Sequence, residues 1–190
     1  ELDRLCKSKG HQGAVAFAAA HSFASMKDIY ARAEAGGEDA LIVILDEIED
    51  PHNLGAIMRS AECAGACGII VSKHNSCGLT ETVAKTSAGA IEYMPCVQVT
   101  NIAKTIDELK KGGFWIAACD MNGSVYTEAD MRGKLAIVIG NEGKGIRQLV
   151  KSKCDFVVSI PLLGQINSLN ASNAAAIIMY EALRQRSEKR

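Results

Sequence analysis

The sequence predicts an α/β fold built on a parallel sheet, and three features of the 190-residue chain indicate it. Short, continuous apolar segments rich in β-branched residues are typical of strands buried on both faces. Segments with helical patterning lie between them, as in βαβ units. Polar stretches follow several strands, at the edge where parallel sheets bind ligands. We therefore expect one layered domain with a site at that edge.

The first 38 residues read as a leader rather than as core. Within them we predict a short helix over Met26–Ala35, capped by Ser25 and ended by Gly36 and Gly37. From Ala40 the alternation begins. The predicted strands cover 40–45, 68–72, 93–99, 114–119, 135–140 and 155–160. The predicted helices between them cover 54–64, 80–87, 101–111 and 145–152.

The last helix is apolar on almost every side from Ala174 to Tyr180. A helix of this kind must be buried all round, either in a large core or against a partner.

Composition excludes several classes of protein. Hydrophobic residues make up 48% and charged residues 23%, as in ordinary globular proteins. No apolar segment reaches the roughly 18–20 residues of a membrane span, and the N-terminus lacks a signal-peptide pattern. The net charge of −1 gives no general indication of nucleic-acid binding. Any role in nucleic-acid binding would then rest on local basic patches or on a missing part of a longer protein. The start at Glu1 rather than Met also predicts that the chain is part of a longer protein.

The seven cysteines are odd in number and irregularly spaced. This favours free thiols in a reducing, cytoplasmic setting over a disulfide framework. Cys63 and Cys67 lie four residues apart on a predicted helix, but no second ligand pair is near them in sequence. We therefore expect two buried structural thiols and no metal site.

The first polar stretch follows the strand at 40–45. Asn53 is placed to cap the next helix, and His52 is predicted to be a loop hydrogen bonder rather than a catalytic base. Arg59 lies off the buried stripe of that helix. Six residues turn a helix by about 600°, so Asn53 and Arg59 face different ways and would serve different purposes. Taken alone, Arg59 is also compatible with a solvated surface arginine.

The second polar stretch, 140–147, has three glycines in six positions directly after a buried strand. It matches neither a P-loop nor G-x-G-x-x-G. A nucleotide-like ligand held by backbone amides and a plain tight turn both fit it. The third stretch, 164–173, contains Ser168 and Asn170, which can cap the last helix, but it holds more asparagine and serine than one cap requires.

Together the three stretches resemble the ordered motifs of the SpoU/TrmH family of the SPOUT class, which are RNA ribose 2′-O-methyltransferases. The motifs are Asn-Leu-Gly-x-x-x-Arg at 53–59, Ile-Gly-Asn-Glu-Gly-Lys-Gly at 139–145, and Ile-Pro at 160–161 followed, after six intervening residues, by Ser-Leu-Asn-Ala-Ser at 168–172. The resemblance extends from about 41 to 186. His-Gln-Gly at 11–13 and Asp-Pro-His-Asn-Leu-Gly at 50–55 are most similar to the RlmB-type branch, which modifies a guanosine of 23S ribosomal RNA. Asn173 departs from the pattern, because relatives often carry a small apolar residue there.

The resemblance implies a parallel-sheet fold with a deep trefoil knot over 39–190, and a homodimer joined through the last helix. It implies that residues 1–38 link this domain to an L30e-like RNA-binding domain outside the sequence. S-adenosylmethionine is implied as the cofactor. The residues implied to bind it are Gly140, Asn141, Ile160, Leu169 and Cys119, with Met121 nearby.

The resemblance also implies roles in catalysis. Arg59 would hold an RNA phosphate and polarise the ribose hydroxyl, because a guanidinium is a poor base. Asn53 and Glu142 would orient Arg59, while Ser168 and Asn170 would shape the junction of cofactor and substrate. Cations that could reach RNA, or form a solvated face, are Lys144, Arg147, Lys151 and Lys153.

Three alternatives remain open from the sequence. The first is the same reaction on tRNA or on another nucleotide of ribosomal RNA. The second is a non-catalytic RNA- or ribosome-binding module with the same fold. The third is a nucleotide-dependent enzyme such as an oxidoreductase, for which the dinucleotide glycine pattern is missing.

Overall fold

Six strands form one sheet in the computed structural model, which describes residues 21–188. They are β1 (Leu41–Asp46), β2 (Gly68–Ser72), β3 (Cys96–Val99), β4 (Trp115–Val125), β5 (Leu135–Gly140) and β6 (Phe156–Ser159). The order is β3-β2-β1-β5-β4-β6, and each neighbouring pair is parallel. The predicted parallel α/β class is therefore confirmed.

Helices cover both faces of the sheet. They are α1 (Met26–Gly36), α2 (Pro51–Cys63), α3 (Glu81–Thr86), α4 (Ile102–Lys111), α5 (Gln148–Lys151) and α6 (Ala171–Ser187). Side chains of β1 alternate between two cores, as the pleat requires. Leu41, Val43 and Leu45 pack with α2, α3 and α6, whereas Ile42 and Ile44 pack with α1, α4 and α5.

The helix at 26–36 belongs to the packed domain, although the sequence placed it in the leader. Ile29 is fully buried, and a methyl group at Gly68 of β2 would approach Ile29 Cγ1 to 2.6 Å. Ser25 is the N-cap, as predicted, and it forms a capping box with Asp28. Residues 11–13, which carry part of the RlmB-type resemblance, lie outside the described residues.

Several predicted elements have different bounds in the structure. β3 begins at Cys96 rather than at 93, because residues 90–92 form a 3-10 turn first. β4 continues to Val125 through a bulge between Cys119 and Ser124. α5 has four residues instead of eight, because residues 141–145 close a tight loop in which Gly145 has a φ of 69°.

The thiol prediction is wrong for one of its two cysteines. Cys67 is buried, but Cys63 is exposed at the last residue of α2, and both are free. None of the helices among residues 21–188 has the length and apolar character needed to cross a bilayer.

Candidate active site

A cavity of 380 Å³ opens at the carboxyl ends of β4 and β5. This is the edge at which parallel sheets bind ligands, and the volume lies in the range of small-molecule sites. Its walls come from three segments: the end of β4, the glycine-rich loop after β5, and the segment between β6 and α6. The lining residues are 119–122, 139–145, Lys151, Ile160, Leu162, 167–169, Ala171 and Ala174.

The glycine-rich loop folds back on itself directly after β5. The backbones of Asn141 and Gly145 exchange hydrogen bonds of 3.1 and 2.8 Å. The Asn141 carboxamide oxygen accepts from the N–H groups of Gly143 and Lys144 at 2.9 and 3.1 Å. A methyl group at Gly140 would lie 2.3 Å from the Gly145 carbonyl carbon, so this turn requires glycine at 140.

The end of β1 holds the same loop in place. Asp46 is fully buried and accepts from Arg147 through the backbone N–H at 2.8 Å and through Nε at 2.9 Å. Hydrogen bonding to Asp46 raises the pKa of Arg147 above its usual range. The Asn141 side chain donates to the Glu47 carbonyl at 2.9 Å. We call these contacts the β1 clamp.

The three predicted motifs meet at Asn53. Its side chain is 5% exposed, donates through Nδ2 to Glu142 Oε1, and accepts from Asn170 Nδ2 at 2.8 Å. The predicted N-cap role of Asn53 is wrong: α2 begins at Pro51, and the Asp50 carboxylate caps it by accepting from the His52 N–H at 2.8 Å. Asn53 therefore lies within the first turn, where its side chain can point to the other motifs.

Asn170 has both functions that the sequence suggested. It caps α6 by accepting from the N–H groups of Ser172 and Asn173, and it also donates to Asn53. The Asn173 side chain is exposed, so the departure from the family pattern is accommodated at the surface. The glycine of the first motif, Gly55, packs α2 on α3, since a methyl group there would lie 2.7 Å from Thr86.

Three predicted site residues, Asn53, Asn170 and Arg59, do not line the cavity. Asn53 and Asn170 are joined to its wall through Glu142, whereas Arg59 is not. Arg59 is exposed on α2, about 9 Å along the axis and about 240° round from Asn53. Within the described residues it neither lines the cavity nor contacts Asn53 or Glu142. Asn53 and Glu142 therefore do not orient Arg59 of the same chain.

The residues implied for cofactor binding are brought together in the cavity wall. They are Gly140, Asn141, Ile160, Leu169 and Cys119, joined there by Glu142 and Ser168. Burial raises the pKa of the Cys119 thiol to about 11, so this wall residue is neutral at physiological pH.

An ion pair in the same wall was missed from sequence. Asp120 lies in the β4 bulge and pairs with Lys151 Nζ of α5 at 2.9 Å. Burial disfavours the Asp120 carboxylate, but hydrogen bonds from Lys151 and the Asn122 N–H hold its pKa below its usual range. The signal available beforehand was weak, since a bulge cannot be located from residue pattern alone.

Most of the cations predicted to reach RNA have carboxylate partners. Arg147 pairs with Asp46, Lys151 with Asp120, and Lys153 with Asp107 at 2.8 Å. Lys144 stands exposed at the cavity mouth, and no acidic partner is found for it among residues 21–188.

The apolar last helix is covered on one side only. Ala175, Ile178, Met179 and Ala182 are buried against α2 and β5, whereas Tyr180 is 48% exposed. The segment before α6 also presents apolar side chains to solvent, with Leu163 fully exposed and Ile166 76% exposed. Leu163, Ile166 and Tyr180 thus each present apolar surface to solvent on the described part of the chain.

Comparison with known proteins gives consistent matches. Residues 40–180 match the SpoU rRNA Methylase family. YacO of Bacillus subtilis, whose description assigns it to the TrmH family of tRNA/rRNA methyltransferases, is 48% identical over 187 residues, which cover 98% of this chain and 75% of YacO.

Solved structures agree with the sequence matches. The SpoU methyltransferase AviRb of Streptomyces viridochromogenes, in complex with AdoMet, superposes with a TM-score of 0.75 at 34% identity, covering 80% of this chain and 60% of AviRb. The chain thus spans less than two thirds of AviRb. The TrmH/SpoU tRNA modifying enzyme of A. aeolicus superposes with a TM-score of 0.71 at 28% identity, covering 86% of this chain and 85% of that enzyme.

Proposed function

Because the chain belongs to the SpoU rRNA methylase family, we propose that it methylates the ribose 2′-hydroxyl of a guanosine in 23S ribosomal RNA. Members of this family methylate RNA with S-adenosylmethionine, and the three sequence motifs indicated membership. The identity of the nucleotide and of the RNA is our proposal. One observation carries it: Asn53 joins Glu142 and Asn170, and with them three separate motifs, beside a single cavity.

The residues of the cavity suit a nucleoside with an amino-acid tail. Ile139, Ile160 and Leu169 give an apolar wall for a purine, and Gly140 exposes backbone beside them. When bound, S-adenosylmethionine supplies a methyl group on a sulfonium, already activated for transfer. The task left to the protein is to position the hydroxyl and assist its deprotonation.

We assign Arg59 to the RNA. A guanidinium holds a phosphate through two parallel hydrogen bonds and stays protonated, so it can polarise the hydroxyl while a phosphate oxygen or water takes the proton. Asn53, Glu142 and Asn170 hold the motif loops in register, and Ser168 lines the cavity beside them.

Arg59 acts across a homodimer in this proposal. It is exposed, and it lies on α2, the helix packed against α6, whose outer side exposes Tyr180. A second copy seated on that apolar side brings its own α2 close to the cavity of the first. Each site then combines the cavity of one copy with Arg59 of the other.

The substrate is tested by incubating the protein and labelled S-adenosylmethionine with protein-free 23S ribosomal RNA and, separately, with tRNA, then mapping the modified ribose. We expect label on one guanosine of 23S RNA. Label confined to tRNA would contradict the RNA assignment. Cofactor binding without transfer to either RNA would favour a non-catalytic RNA-binding module.

The dimeric site is tested by mixing two inactive variants, Arg59→Ala and Gly140→Ala. A mixed dimer contains one site with an intact cavity and an intact arginine from the other copy, so activity should return on mixing. Arg59→Ala should keep cofactor affinity within a few-fold, measured by calorimetry. Mixtures that stay inactive although exchange of subunits is detected would contradict the assignment across the dimer.

A further inference from the structure

The ion pair between Asp120 and Lys151 is the part of the cavity that the proposed function leaves unexplained. Both side chains line the cavity, at 20% and 24% exposure, with 2.9 Å between Oδ1 and Nζ. The bulge in β4 creates this arrangement, because residues 120–123 leave the pairing with β6 between Cys119 and Ser124. Bulges of this kind often re-aim side chains at binding sites.

The pair contributes both signs of charge to one side of the wall. The other charged lining residues differ in setting: Glu142 accepts from Asn53, and Lys144 stands exposed at the mouth. Ile160, Leu162 and Leu169 contribute apolar side chains to the lining, together with the polar Asn167 and Ser168. A ligand that fills the cavity therefore meets apolar side chains and also a carboxylate next to an ammonium.

We propose that Asp120 and Lys151 select the zwitterionic amino-acid end of the methyl donor, with Asp120 accepting from its α-ammonium and Lys151 donating to its α-carboxylate. This inference rests on the methyl donor of the proposed function. Opposite charges side by side complement a zwitterion, whereas a nucleoside without the amino-acid end gains nothing from them. The pair thereby favours the donor over adenosine derivatives without the amino-acid end, such as 5′-methylthioadenosine.

Partial burial favours this role. At about one fifth exposure the two charges are screened less than a surface pair, so contacts with a charged ligand are stronger than in open water. Charge-assisted hydrogen bonds of this type are roughly twice as strong as neutral ones.

The test compares two ligands by calorimetry without RNA: S-adenosylhomocysteine, which carries the amino-acid end, and 5′-methylthioadenosine, which lacks it. For Asp120→Asn and Lys151→Met we expect at least about tenfold weaker binding of S-adenosylhomocysteine. Binding of 5′-methylthioadenosine should stay within about twofold. A matched control is Lys153→Met, which breaks the ion pair with Asp107 two residues along the chain and outside the cavity; both affinities should be unchanged.

The double variant Asp120→Lys with Lys151→Glu keeps an ion pair but exchanges the positions of the charges. If the pair only holds the wall together, this variant binds both ligands as the unmodified protein does, and the inference is overturned. Equal loss for both ligands in the single variants also overturns it. A protein that binds neither ligand before any substitution contradicts the proposed function itself, and the inference with it.

Discussion

Two segments line the same cavity but are held in opposite ways. The loop at 140–147 is fastened to the end of β1 by Arg147 and Asn141, through the buried Asp46 and the Glu47 carbonyl. The segment at 161–169 exposes its apolar side chains, with Leu163 fully and Ile166 76% accessible. One wall is thus complete within a single chain, whereas the other has apolar surface that only a partner or a ligand can cover.

The two walls should therefore respond differently to substitution. The β1 clamp acts through the buried Asp46 carboxylate and hydrogen bonds of 2.8–2.9 Å, so substitutions in it should affect folding as well as binding. The segment at 161–169 contributes little to the stability of one chain, so substitutions there should act on assembly.

The largest effect is expected for Arg147→Met. It removes the guanidinium from the fully buried Asp46 carboxylate, which keeps only the backbone N–H of residue 147, so we expect a loss of about 3 kcal/mol. Urea denaturation should show this loss, and Arg147→Lys, which keeps the charge, should lose less. Lys104→Met, which removes an exposed pair with Glu108, should leave the midpoint unchanged. Similar midpoints for both Met variants would mean that the clamp does not stabilise the fold.

Next is Gly140→Ala. The added methyl group would lie 2.3 Å from the Gly145 carbonyl carbon, so the loop must move, at a cost of about 1–3 kcal/mol. S-adenosylhomocysteine should bind about tenfold more weakly or worse by calorimetry, since its wall is displaced. At Gly78, which does not line the cavity, an added methyl group would meet no atom within 4 Å, so Gly78→Ala is the control and should bind normally. Equal affinities for the two variants would show that the turn tolerates displacement.

A smaller effect is expected at the junction of the two walls. Asn170→Ala removes the cap of α6 and the link to Asn53, and cap loss costs about 1 kcal/mol. Asn170→Asp keeps the cap but cannot donate to Asn53, so it separates the two functions. Thermal unfolding should rank Ala below Asp, while calorimetry with S-adenosylhomocysteine should show weakened binding for both. Normal binding by the Asp variant would show that the hydrogen bond between Asn170 and Asn53 is not needed for cofactor binding.

The smallest effect on the single chain is expected for Leu163→Ser. The side chain is fully exposed, and surface substitutions usually change stability by about 0.5 kcal/mol or less. If the surface is a dimer interface, sedimentation should show a shift toward monomer, enhanced in the double variant with Ile166→Ser. Trp115→Ser is a control at another exposed hydrophobic residue, 60% accessible and on β4, and should leave assembly unchanged. Dissociation by the control alone would place the interface elsewhere.

Much of the architecture follows from local pattern. The continuous apolar segments at 40–45, 68–72 and 135–140 predicted buried strands, because a strand covered on both faces carries apolar side chains on both. The three motifs, each after a strand, predicted one site, because the carboxyl ends of parallel strands share an edge. The cap at Ser25 could also be predicted, because a capping box involves residues only three apart in sequence.

What the sequence by itself determined is the fold class, the family and the residues that converge on the cavity. Only the tertiary structure decided that Asp50 rather than Asn53 caps α2, that the β4 bulge turns Asp120 toward Lys151, and that Arg59 faces away from its own cavity. The physical reason is range. Strand and helix patterns are written in neighbouring residues, whereas the direction of a side chain depends on partners tens of residues away, such as Glu142 for Asn53.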